Sequence, residues 1–356
     1  MSPIDRLGLA YPIFQAPMAG VSTPAMAVAV SEAGGLGAIA VGSVGAAAAG
    51  DLMARVRAGT RRAFNVNLFV HAPPRRDATR ESAWLEALRP LFAAFDAEPP
   101  ATLTSPYLSF AEDDAMLALL VAEPPPVVSF HFGLPDARRI AALRQAGCLL
   151  VSTATSLAEA LAARDAGVDL VVAQGYQAGG HRGVFDPDAP DERLDTLSLV
   201  RRLSWDAGLP VVAAGGLMDG RDIRAALDAG AVAAQLGTAF LLTPESAADA
   251  AYRDALVSDA ARHTVMTDAV SGRPARSLRS LFTEWGAGIS LPRPDYPVTY
   301  DTGKALNAVA RAAGQPGYGA LWAGEGAPRL RAGSAAQIIA QLARELADAD
   351  VQPPLN

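Results

Sequence analysis

DLVVAQGYQAGGHRG, residues 169–183, joins an apolar run to a glycine-rich segment that ends in a histidine. The first part has the length and the β-branched content of a buried strand. Gln174 stands where that strand should end, and the glycines after it let backbone N–H groups approach a ligand closely. His181 adds a side chain that can change protonation near neutral pH. The alternative interpretation is a tight strand-to-helix loop with an incidental histidine. The residues at the other strand ends must distinguish a ligand site from such a loop.

The rest of the chain repeats this organisation. Four helix-like stretches close with an Ala-Gly pair before an apolar run, at Gly34, Gly147, Gly167 and Gly230, where glycine would supply the left-handed conformation after a helix. Strands that alternate with helices indicate parallel βα units, and eight of them favour a (β/α)8 barrel over an open sheet. The candidate strands are Ile13–Ala16, Gly37–Val41, Ala63–Phe69, Val127–Phe132, Cys148–Ser152, Asp169–Ala173, Pro210–Ala214 and Val232–Leu236.

Two stretches exceed a minimal barrel. Residues 72–126 contain two helix-like patterns, and residues 243–331 begin with another helix start at Thr243-Pro244. Ser334 and Gln337 then form a capping box before a helix with an apolar face, which we take as the last helix of the barrel. We therefore predict an α/β fold: a (β/α)8 TIM barrel (residues 1–242 and 332–350) with an inserted, mainly helical substrate-lid lobe (residues 243–331).

Composition excludes several classes of function. A net charge of −7 without Lys/Arg blocks argues against nucleic-acid binding. Cys148 is the lone cysteine, so neither an intrachain disulfide nor a thiolate metal cluster is expected. Residues 33–50 are uncharged, but their glycines and alanines fit a strand and a small-residue loop better than a membrane span. The first residues lack the layout of a signal peptide, so we expect a cytoplasmic protein that does not bind membranes.

Several predicted strands end in residues suited to chemistry, and in barrels catalysis lies at these ends. Glycine-rich loops after the last two strands would place backbone N–H groups around a phosphate, with the Thr238 hydroxyl beside them. A tight turn is the simpler alternative for Gly215-Gly216. The residues at these ends are Pro17 and Met18, Asn67, His131, Gln174 and His181, Gly215 and Gly216, and Gln235, Gly237 and Thr238.

Amides at Asn67, Gln174 and Gln235 together with an anion site suit flavin mononucleotide (FMN), because an isoalloxazine ring needs hydrogen bonds at its edge and its ribityl phosphate needs an anion site. Other phosphate-bearing ligands would fit the same residues. No metal is expected, since the four histidines show no ligand spacing and no carboxylate completes a triad with them.

Taken together, these motifs resemble the nitronate monooxygenase family, formerly 2-nitropropane dioxygenase, over nearly the whole chain. They are QAPMAG (15–20), FNVN (64–67), SFHFG (129–133), residues 174–183, AAGG (213–216), QLGT (235–238) and LWAGEG (321–326). His131 with Tyr296, Tyr300 and Lys304 is similar to the class I branch. The resemblance implies an FMN-dependent oxygenase that converts alkyl nitronates and O2 to an aldehyde or ketone plus nitrite through a flavin semiquinone.

The resemblance also implies roles for individual residues. His131, His181 and Lys304 would be catalytic and would neutralise the nitronate charge, and Tyr107, Tyr252, Tyr296 and Tyr300 would line the substrate pocket. Tyr296, Tyr300 and Lys304 have a spacing of four, so on a helix they would share one face; without the resemblance, an ordinary surface turn explains them. The cofactor site would comprise Pro17, Met18, Asn67, Gln174, Gly179, Gly180, Gly215, Gly216, Gln235, Gly237 and Thr238.

Two positions depart from what the resemblance leads us to expect. Gln177 stands where many relatives would have Glu, and Glu325 where they would have Gln. The expected substrate is propionate 3-nitronate, and the expected state is a monomer or a homodimer. Three alternatives stay open: an FMN-dependent NAD(P)H reductase of quinones or enoyl thioesters, a non-catalytic FMN-binding protein, and a phosphosugar barrel without flavin.

Overall fold

The computed structural model describes residues 3–351, which contain eleven strands and twelve α-helices. The strands are β1 (Ile13–Gln15), β2 (Gly37–Ala40), β3 (Phe64–Phe69), β4 (Val127–His131), β5 (Leu149–Ala154), β6 (Leu170–Gln174), β7 (Gly180–His181), β8 (Val211–Ala214), β9 (Ala233–Leu236), β10 (Thr264–Thr267) and β11 (Ala275–Leu278). The helices are α1 (Pro24–Glu32), α2 (Ala46–Gly59), α3 (Ala78–Ala93), α4 (Asp114–Ala122), α5 (Ala137–Gln145), α6 (Leu157–Asp165), α7 (Thr196–Asp206), α8 (Gly220–Asp228), α9 (Ala250–Val257), α10 (Leu281–Ala287), α11 (Val298–Ala312) and α12 (Ala335–Val351). Short 3-10 helices lie at Pro3–Leu7, Thr238–Phe240, Asp259–Arg262 and Ala327–Arg329.

Eight parallel strands form the barrel, in the order β1-β9-β8-β6-β5-β4-β3-β2. A parallel bridge between Phe14 and Leu36 joins the two ends of this sheet, with hydrogen bonds of 2.9 Å from the Gln15 N–H to the Leu36 carbonyl and from the Leu36 N–H to the Ile13 carbonyl. The predicted (β/α)8 barrel is confirmed, and every predicted strand is present to within two residues at each end.

The helix ends follow the sequence signals. Thr23 caps α1 by accepting a hydrogen bond of 3.1 Å from the Met26 N–H, and Pro24 occupies the first helical position. All four Ala-Gly pairs terminate helices, and their glycines have positive φ angles, such as 96° at Gly34 and 106° at Gly230. Helix α12 packs against both α8 and α1, which closes the outer ring of helices. No helix within the described range is long and apolar enough to cross a membrane.

Buried side chains from the strands fill the barrel, among them Phe14, Val127, Val151, Leu170 and Val212. Larger apolar clusters lie where the strands meet the surrounding helices. The barrel is therefore a packed core and not a pore, and its open end is left to the loops that follow the strands.

Above that end lie parts of residues 243–331, a segment that we call the lobe and that contains α9, α10, α11, β10 and β11. Helix α3 joins it: Trp84, Leu88 and Phe92 are buried in one cluster with Phe282 of α10 and Leu306 of α11. The helix expected from Thr243 is wrong, because α9 begins only at Ala250. Arg253 bonds the carbonyls of residues 242, 243, 246 and 248, and these carbonyls are thus held in a turn instead of serving a helix.

Candidate active site

A cavity of about 350 Å³ opens where the barrel strands end beneath the lobe. Every site residue predicted from the sequence lines it. These are His131, His181 and Lys304; Tyr107, Tyr252, Tyr296 and Tyr300; and Pro17, Met18, Asn67, Gln174, Gly179, Gly180, Gly215, Gly216, Gln235, Gly237 and Thr238. The structure therefore brings together residues that lie up to 287 positions apart (Pro17 to Lys304).

The loops after β8 and β9 form the floor of the cavity, which we call the amide cradle (residues 215–217 and 237–238). Gly215 has φ +124°, and a Cβ there would lie 2.7 Å from the Thr196 hydroxyl oxygen, so glycine is required. Within the described chain, the backbone N–H groups of Gly216 and Gly237 make no hydrogen bond. The Thr238 hydroxyl accepts a bond of 3.0 Å from the Gly324 N–H, which leaves its own proton available. Such a set of donors is suited to an anion.

The three predicted amide ligands differ in how they are used. The Asn67 NH2 group donates to the Ser129 hydroxyl at 2.9 Å, and the Gln235 amide makes no hydrogen bond within residues 3–351. In contrast, the Gln174 amide is fully engaged in its own loop: it donates to the His181 carbonyl at 2.9 Å and accepts from the Gly183 N–H at 2.8 Å. Gln174 therefore shapes the loop that carries His181.

His181 is held by a small sheet that the sequence did not reveal. Strand β7 pairs antiparallel with β11 of the lobe, opposite Ala275, and β11 pairs with β10. A strand of two residues carries no detectable period, and its partner lies about 95 residues further along. Thr264, Val265 and Thr267 of β10 are β-branched, and this composition is the signal from which β10 could have been predicted.

The hydrogen bonds assign a tautomer to each histidine. The Nε2 atom of His131 lies 3.3 Å from the His181 carbonyl, which can only accept, so Nε2 carries the proton and Nδ1 accepts from the Thr153 hydroxyl at 3.0 Å. The Nε2 atom of His181 lies 2.8 Å from the Ser271 hydroxyl oxygen, whose own proton points to the Arg273 carbonyl at 3.3 Å. We therefore assign the His181 proton to Nε2, and Nδ1 is free of partners in the described chain.

Both histidines are neutral at physiological pH. Burial, and after it the charge of Arg273, lowers the pKa of His131 to about 4. Burial, the neighbouring His131 and Arg273 lower the pKa of His181 to about 3. As neutral groups the two histidines offer hydrogen-bond donors and acceptors to the cavity, and the expectation that they neutralise an anion by carrying positive charge stays a prediction.

Aromatic rings form the wall between the histidines and the lobe. Phe132 has the left-handed φ of 78°, which is rare for a bulky side chain. Its ring centroid lies 4.5 Å from that of His131, 5.5 Å from that of His181 and 5.2 Å from that of Tyr296. This strained backbone places Phe132 just behind the cavity lining, where its ring contacts three cavity residues.

Lys304 is the only lysine in the sequence and lies at the roof of the cavity. Its Nζ atom lies 4.4 Å from the ring centroid of Tyr107 and 5.3 Å from that of Tyr300, so the ammonium group contacts two aromatic faces. No Asp or Glu of the described chain lines the cavity. Burial lowers the pKa of Lys304, and the nearby Asp301 partly offsets this.

The tyrosines keep their protons. Burial is the largest cause that raises the pKa of Tyr300 to about 12 and raises the pKa of Tyr107, Tyr252 and Tyr296 above its usual value. Their hydroxyl groups are therefore hydrogen-bond donors. The Tyr252 hydroxyl already donates to the Trp322 carbonyl, whereas the buried Tyr296 hydroxyl has no partner within residues 3–351.

The shared helix face predicted for Tyr296, Tyr300 and Lys304 is only partly correct. Tyr300 and Lys304 lie on α11, but Tyr296 precedes this helix, which begins at Val298. Pro297 is the physical reason, because a residue before proline is disfavoured in helical conformation. Tyr296 still reaches the cavity from the segment before the helix.

Sequence reasoning did not assign roles to several residues at the site. Trp322 lines the cavity with its ring 5.1 Å from that of His181, and it lies within the LWAGEG motif that carried the resemblance. Thr153 and Ser271 fix the histidine tautomers, and small hydroxyl side chains of this kind give no signal in a single sequence.

Gln177 and Glu325, the two positions that differ from what the resemblance leads us to expect, lie behind the amide cradle. The Gln177 side-chain carbonyl accepts bonds of 2.8 Å from the Thr196 N–H and hydroxyl. Glu325 forms an ion pair with Arg276 at 3.1 Å, and its N–H donates to the Gln177 backbone carbonyl at 3.0 Å. The two positions therefore support the loops around the cradle from outside the cavity.

Ionic and polar contacts hold the roof on the barrel. Arg75, in the loop after β3, bonds Asp295 at 2.7 Å and Asp188 at 3.1 Å, and Arg80 also reaches Asp295. Asp301 of α11 accepts bonds of 2.7 and 2.9 Å from the Thr104 N–H and hydroxyl, close to Tyr107. These contacts join the segment that carries Tyr296, Tyr300 and Lys304 to the loops of the barrel.

The fold and the cavity define a (β/α)8-barrel enzyme with its site at the carboxyl ends of the strands. The sequence matches the model of the nitronate monooxygenase family over residues 3–345. The chain belongs to this family and is an enzyme of it.

Individual relatives agree with this placement. A nitronate monooxygenase of Paraburkholderia phytofirmans is 54% identical over 344 residues, which cover 96% of this chain and 94% of that protein. One from Pseudomonas aeruginosa is 52% identical over 342 residues, covering 96% and 97%. The crystal structure of a nitroalkane oxidase from Streptomyces ansochromogenes is similar with a TM-score of 0.89 at 41% identity, covering 98% and 99%. FabK from Thermotoga maritima is similar with a TM-score of 0.74 at 28% identity, covering 97% and 96%.

Proposed function

We propose that this enzyme oxidises alkyl nitronates with O2 to an aldehyde, ketone or oxo acid plus nitrite, with FMN as its cofactor. The observation that carries the proposal is the charge pattern of the cavity: an ammonium group and protonated tyrosines face a chamber that no carboxylate of the described chain lines. A nitronate is an anion, and such a chamber favours an anion over its neutral conjugate acid.

FMN fits the residues of the floor. The cradle offers free N–H groups at Gly216 and Gly237 and the Thr238 hydroxyl to a phosphate, and a Cβ at Gly215 would collide with the loop behind it. The unbonded amide of Gln235 and the side-chain carbonyl of Asn67 offer polar atoms to an isoalloxazine edge. The chemistry that FMN supplies when bound is electron exchange with the nitronate and O2.

The residues of the roof would bind and orient the substrate. The Lys304 ammonium group has no ion pair with a carboxylate of the described residues, so it can pair with the nitronate or with the carboxylate of propionate 3-nitronate. The tyrosine hydroxyls would donate hydrogen bonds to the nitro oxygens and, with Trp322, exclude water. We further propose that residues 243–331 act as the substrate lid.

The histidines favour the nitronate over the neutral nitroalkane. His181 presents an unprotonated Nδ1 that could accept a proton from the carbon next to the nitro group, but a pKa of about 3 makes it a weak base at pH 7. His131 has both ring nitrogens bonded within the protein. We therefore propose that the substrate enters already ionised and that His181 binds and positions it.

The test begins with the cofactor. The flavin released from the purified protein is identified by chromatography, and FMN is expected. The holoenzyme is then mixed without oxygen with propionate 3-nitronate, with neutral 3-nitropropionate, or with NADH, while the flavin spectrum is followed. We expect a rapid change with the nitronate, a far slower one with the neutral acid and almost none with NADH. After air is admitted, nitrite should form.

Other outcomes would reassign the protein. Bleaching by NADH alone would assign a reductase, a yellow protein inert to every nitronate would assign flavin binding without catalysis, and a colourless protein would refute the cofactor. A His181→Ala enzyme that oxidised nitronates at the parent rate would remove the role given to His181.

A further inference from the structure

Arg273 is a buried cation for which residues 3–351 provide no ion-pair partner. The residue is 3% exposed, and its guanidinium donates to the carbonyls of Val184 at 2.6 Å and Phe185 at 3.3 Å, while its Nε atom has no partner in the described chain. Carboxylates act on it only from a distance, at Glu159, Asp186 and Asp188, and burial lowers its pKa to about 10. A buried guanidinium is normally paired, because burying an unpaired charge is costly.

Its neighbour Arg182 shows the usual solution. Arg182 is equally buried, but it forms a two-pronged ion pair with Asp191, with N–O distances of 2.8 and 3.0 Å. Its charge is therefore balanced locally. Glu159 of α6 is close by, but its carboxylate accepts a hydrogen bond of 2.8 Å from the Phe185 N–H and forms no ion pair with Arg273 in the described chain. The charge of Arg273 is therefore not balanced locally. The positive field of Arg273 must then act on whatever lies next to it.

What lies next to it is the aromatic wall of the cavity. The central carbon of the guanidinium is 4.4 Å from the centroid of the Phe132 ring, and the other neighbours of that ring include His131 and His181. Arg273 does not line the cavity itself, so it touches no ligand there. Ser271, two residues before it, fixes the tautomer of His181.

We propose that Arg273 is a positioning residue that shapes the electrostatic potential of the site: its unbalanced charge, acting across Phe132, adds to burial in opposing protonation of His131 and His181 and attracts anions. Two neutral imidazoles can then offer hydrogen bonds to a ligand without taking up a proton. The anionic ligand itself would supply the negative charge that the fold does not place beside Arg273. The inference deepens the proposed function, but its main test reads histidine protonation and does not require that a nitronate be the substrate.

The other titratable groups that surround the two histidines must not be mutated in the test. They are the ion-paired Arg182, the protonated tyrosines Tyr107, Tyr252, Tyr296 and Tyr300, the buried His71 and the exposed Lys304. On the far side of Arg273, Glu159, Asp186 and Asp188 reduce its field. None of these residues is changed in the variants below.

The experiment titrates the histidine rings by NMR in holoenzyme labelled with 13C-histidine, which has only four such residues. Arg273→Gln removes the charge, and Arg273→Met is used in place of that variant if Arg273→Gln does not fold. We expect the pKa of both site histidines to rise by about one unit, the size of effect that a nearby charge has. The Kd of nitrite, the anionic probe, should rise at least threefold.

Two controls separate the charge from the hydrogen bonds. Arg273→Lys keeps the charge and should keep both pKa values low, whereas a purely structural role predicts that it behaves like Arg273→Gln. Arg293→Gln removes a partly buried arginine that lies away from the cavity, with its guanidinium carbon 4.9 Å from the Trp84 ring centroid, and should leave the titration unchanged. Unchanged histidine pKa values in a folded, charge-free variant, or an unchanged nitrite Kd, would overturn the proposal.

Discussion

The floor and the roof of the cavity are built by different means. The floor, the amide cradle, presents backbone N–H groups at the ends of β8 and β9, and its first loop lies so close to Thr196 and Ala178 that a side chain is excluded at Gly215. The roof presents side chains, namely Lys304, the tyrosines and Trp322, and it is assembled from the lobe and the loop after β3. The floor lies on the barrel sheet, whereas ion pairs such as Arg75–Asp295 attach the roof.

This difference separates two kinds of recognition. A cradle of backbone groups is insensitive to most substitutions, because any residue offers the same N–H, but it fails when a Cβ enters it. The roof can change its charge and shape one side chain at a time. The floor should therefore determine whether a phosphate binds, and the roof should determine which anion reacts above it.

The largest effect is expected from Gly215→Ala. The added Cβ would lie 2.7 Å from the Thr196 hydroxyl oxygen, at a φ of +124°, so the cradle must distort. We expect the Kd of FMN to rise at least tenfold, as measured by flavin fluorescence during dilution. The matched control is Gly208→Ala at φ +69°, where the space is ordinary. It should cost about 1 kcal/mol of stability without loss of flavin; equal flavin loss in both variants would refute a local role for the cradle.

The next largest effect is expected from Lys304→Met on the roof. Loss of a charge that pairs with an anion is worth about 1.4–2.8 kcal/mol, so KM for propionate 3-nitronate should rise about 10- to 100-fold. Flavin content should not change, which is the reverse of Gly215→Ala. Because Lys304 is the only lysine, an amine-specific reagent should label it and the N-terminus alone, and a bound nitronate should protect it. If saturating nitronate did not slow the labelling of Lys304, contact between Lys304 and the substrate would be excluded.

A third test concerns the boundary between the two regions, where His131 of the barrel meets His181. Folding lowers the pKa of His181 from 6.5 to about 3. Between these values the unfolded chain binds more protons, so the unfolding free energy falls as the pH falls. In His181→Gln, the loss between pH 7.5 and 5.0 should be smaller by about 1–2 kcal/mol, measured by urea unfolding. Exposed His263→Gln is the control, and an equal change there would disprove the assignment.

The smallest effect is expected from the attachment of the roof. Asp295→Asn weakens the contacts with Arg75 and Arg80, and exposed ion pairs contribute only about 0–1 kcal/mol. We expect KM to rise no more than about fivefold, and 0.5 M NaCl should raise the KM of the parent in the same direction. Asp165→Asn, which removes an ion pair with Arg164 on a helix of the barrel, should change neither value. A stronger effect would mean that the lobe is held mainly by charge.

Much of the floor could be predicted from the sequence, because strands, glycines and strand-end amides lie in short runs with recognisable periods. Gln235 lies near the end of β9, and Thr238 follows two residues after that strand. The residues of the roof could be predicted only from the family resemblance, because Tyr107 and Lys304 lie on elements that have no regular place in a barrel. The β7–β11 pairing and the buried, unpaired Arg273 were not predictable. Both depend on contacts between distant segments, which no local pattern records.

The position of α12 has a consequence for synthesis. This helix lies between α8 and α1, but in the chain it follows the whole lobe. A ribosome therefore releases all eight barrel strands before the helix that seals them, and during this interval the apolar sides of α1 and α8 lack their partner. The nascent lobe therefore emerges while this ring is still unfinished. A translational pause within residues 243–331 would thus extend the period in which the barrel is most exposed to aggregation.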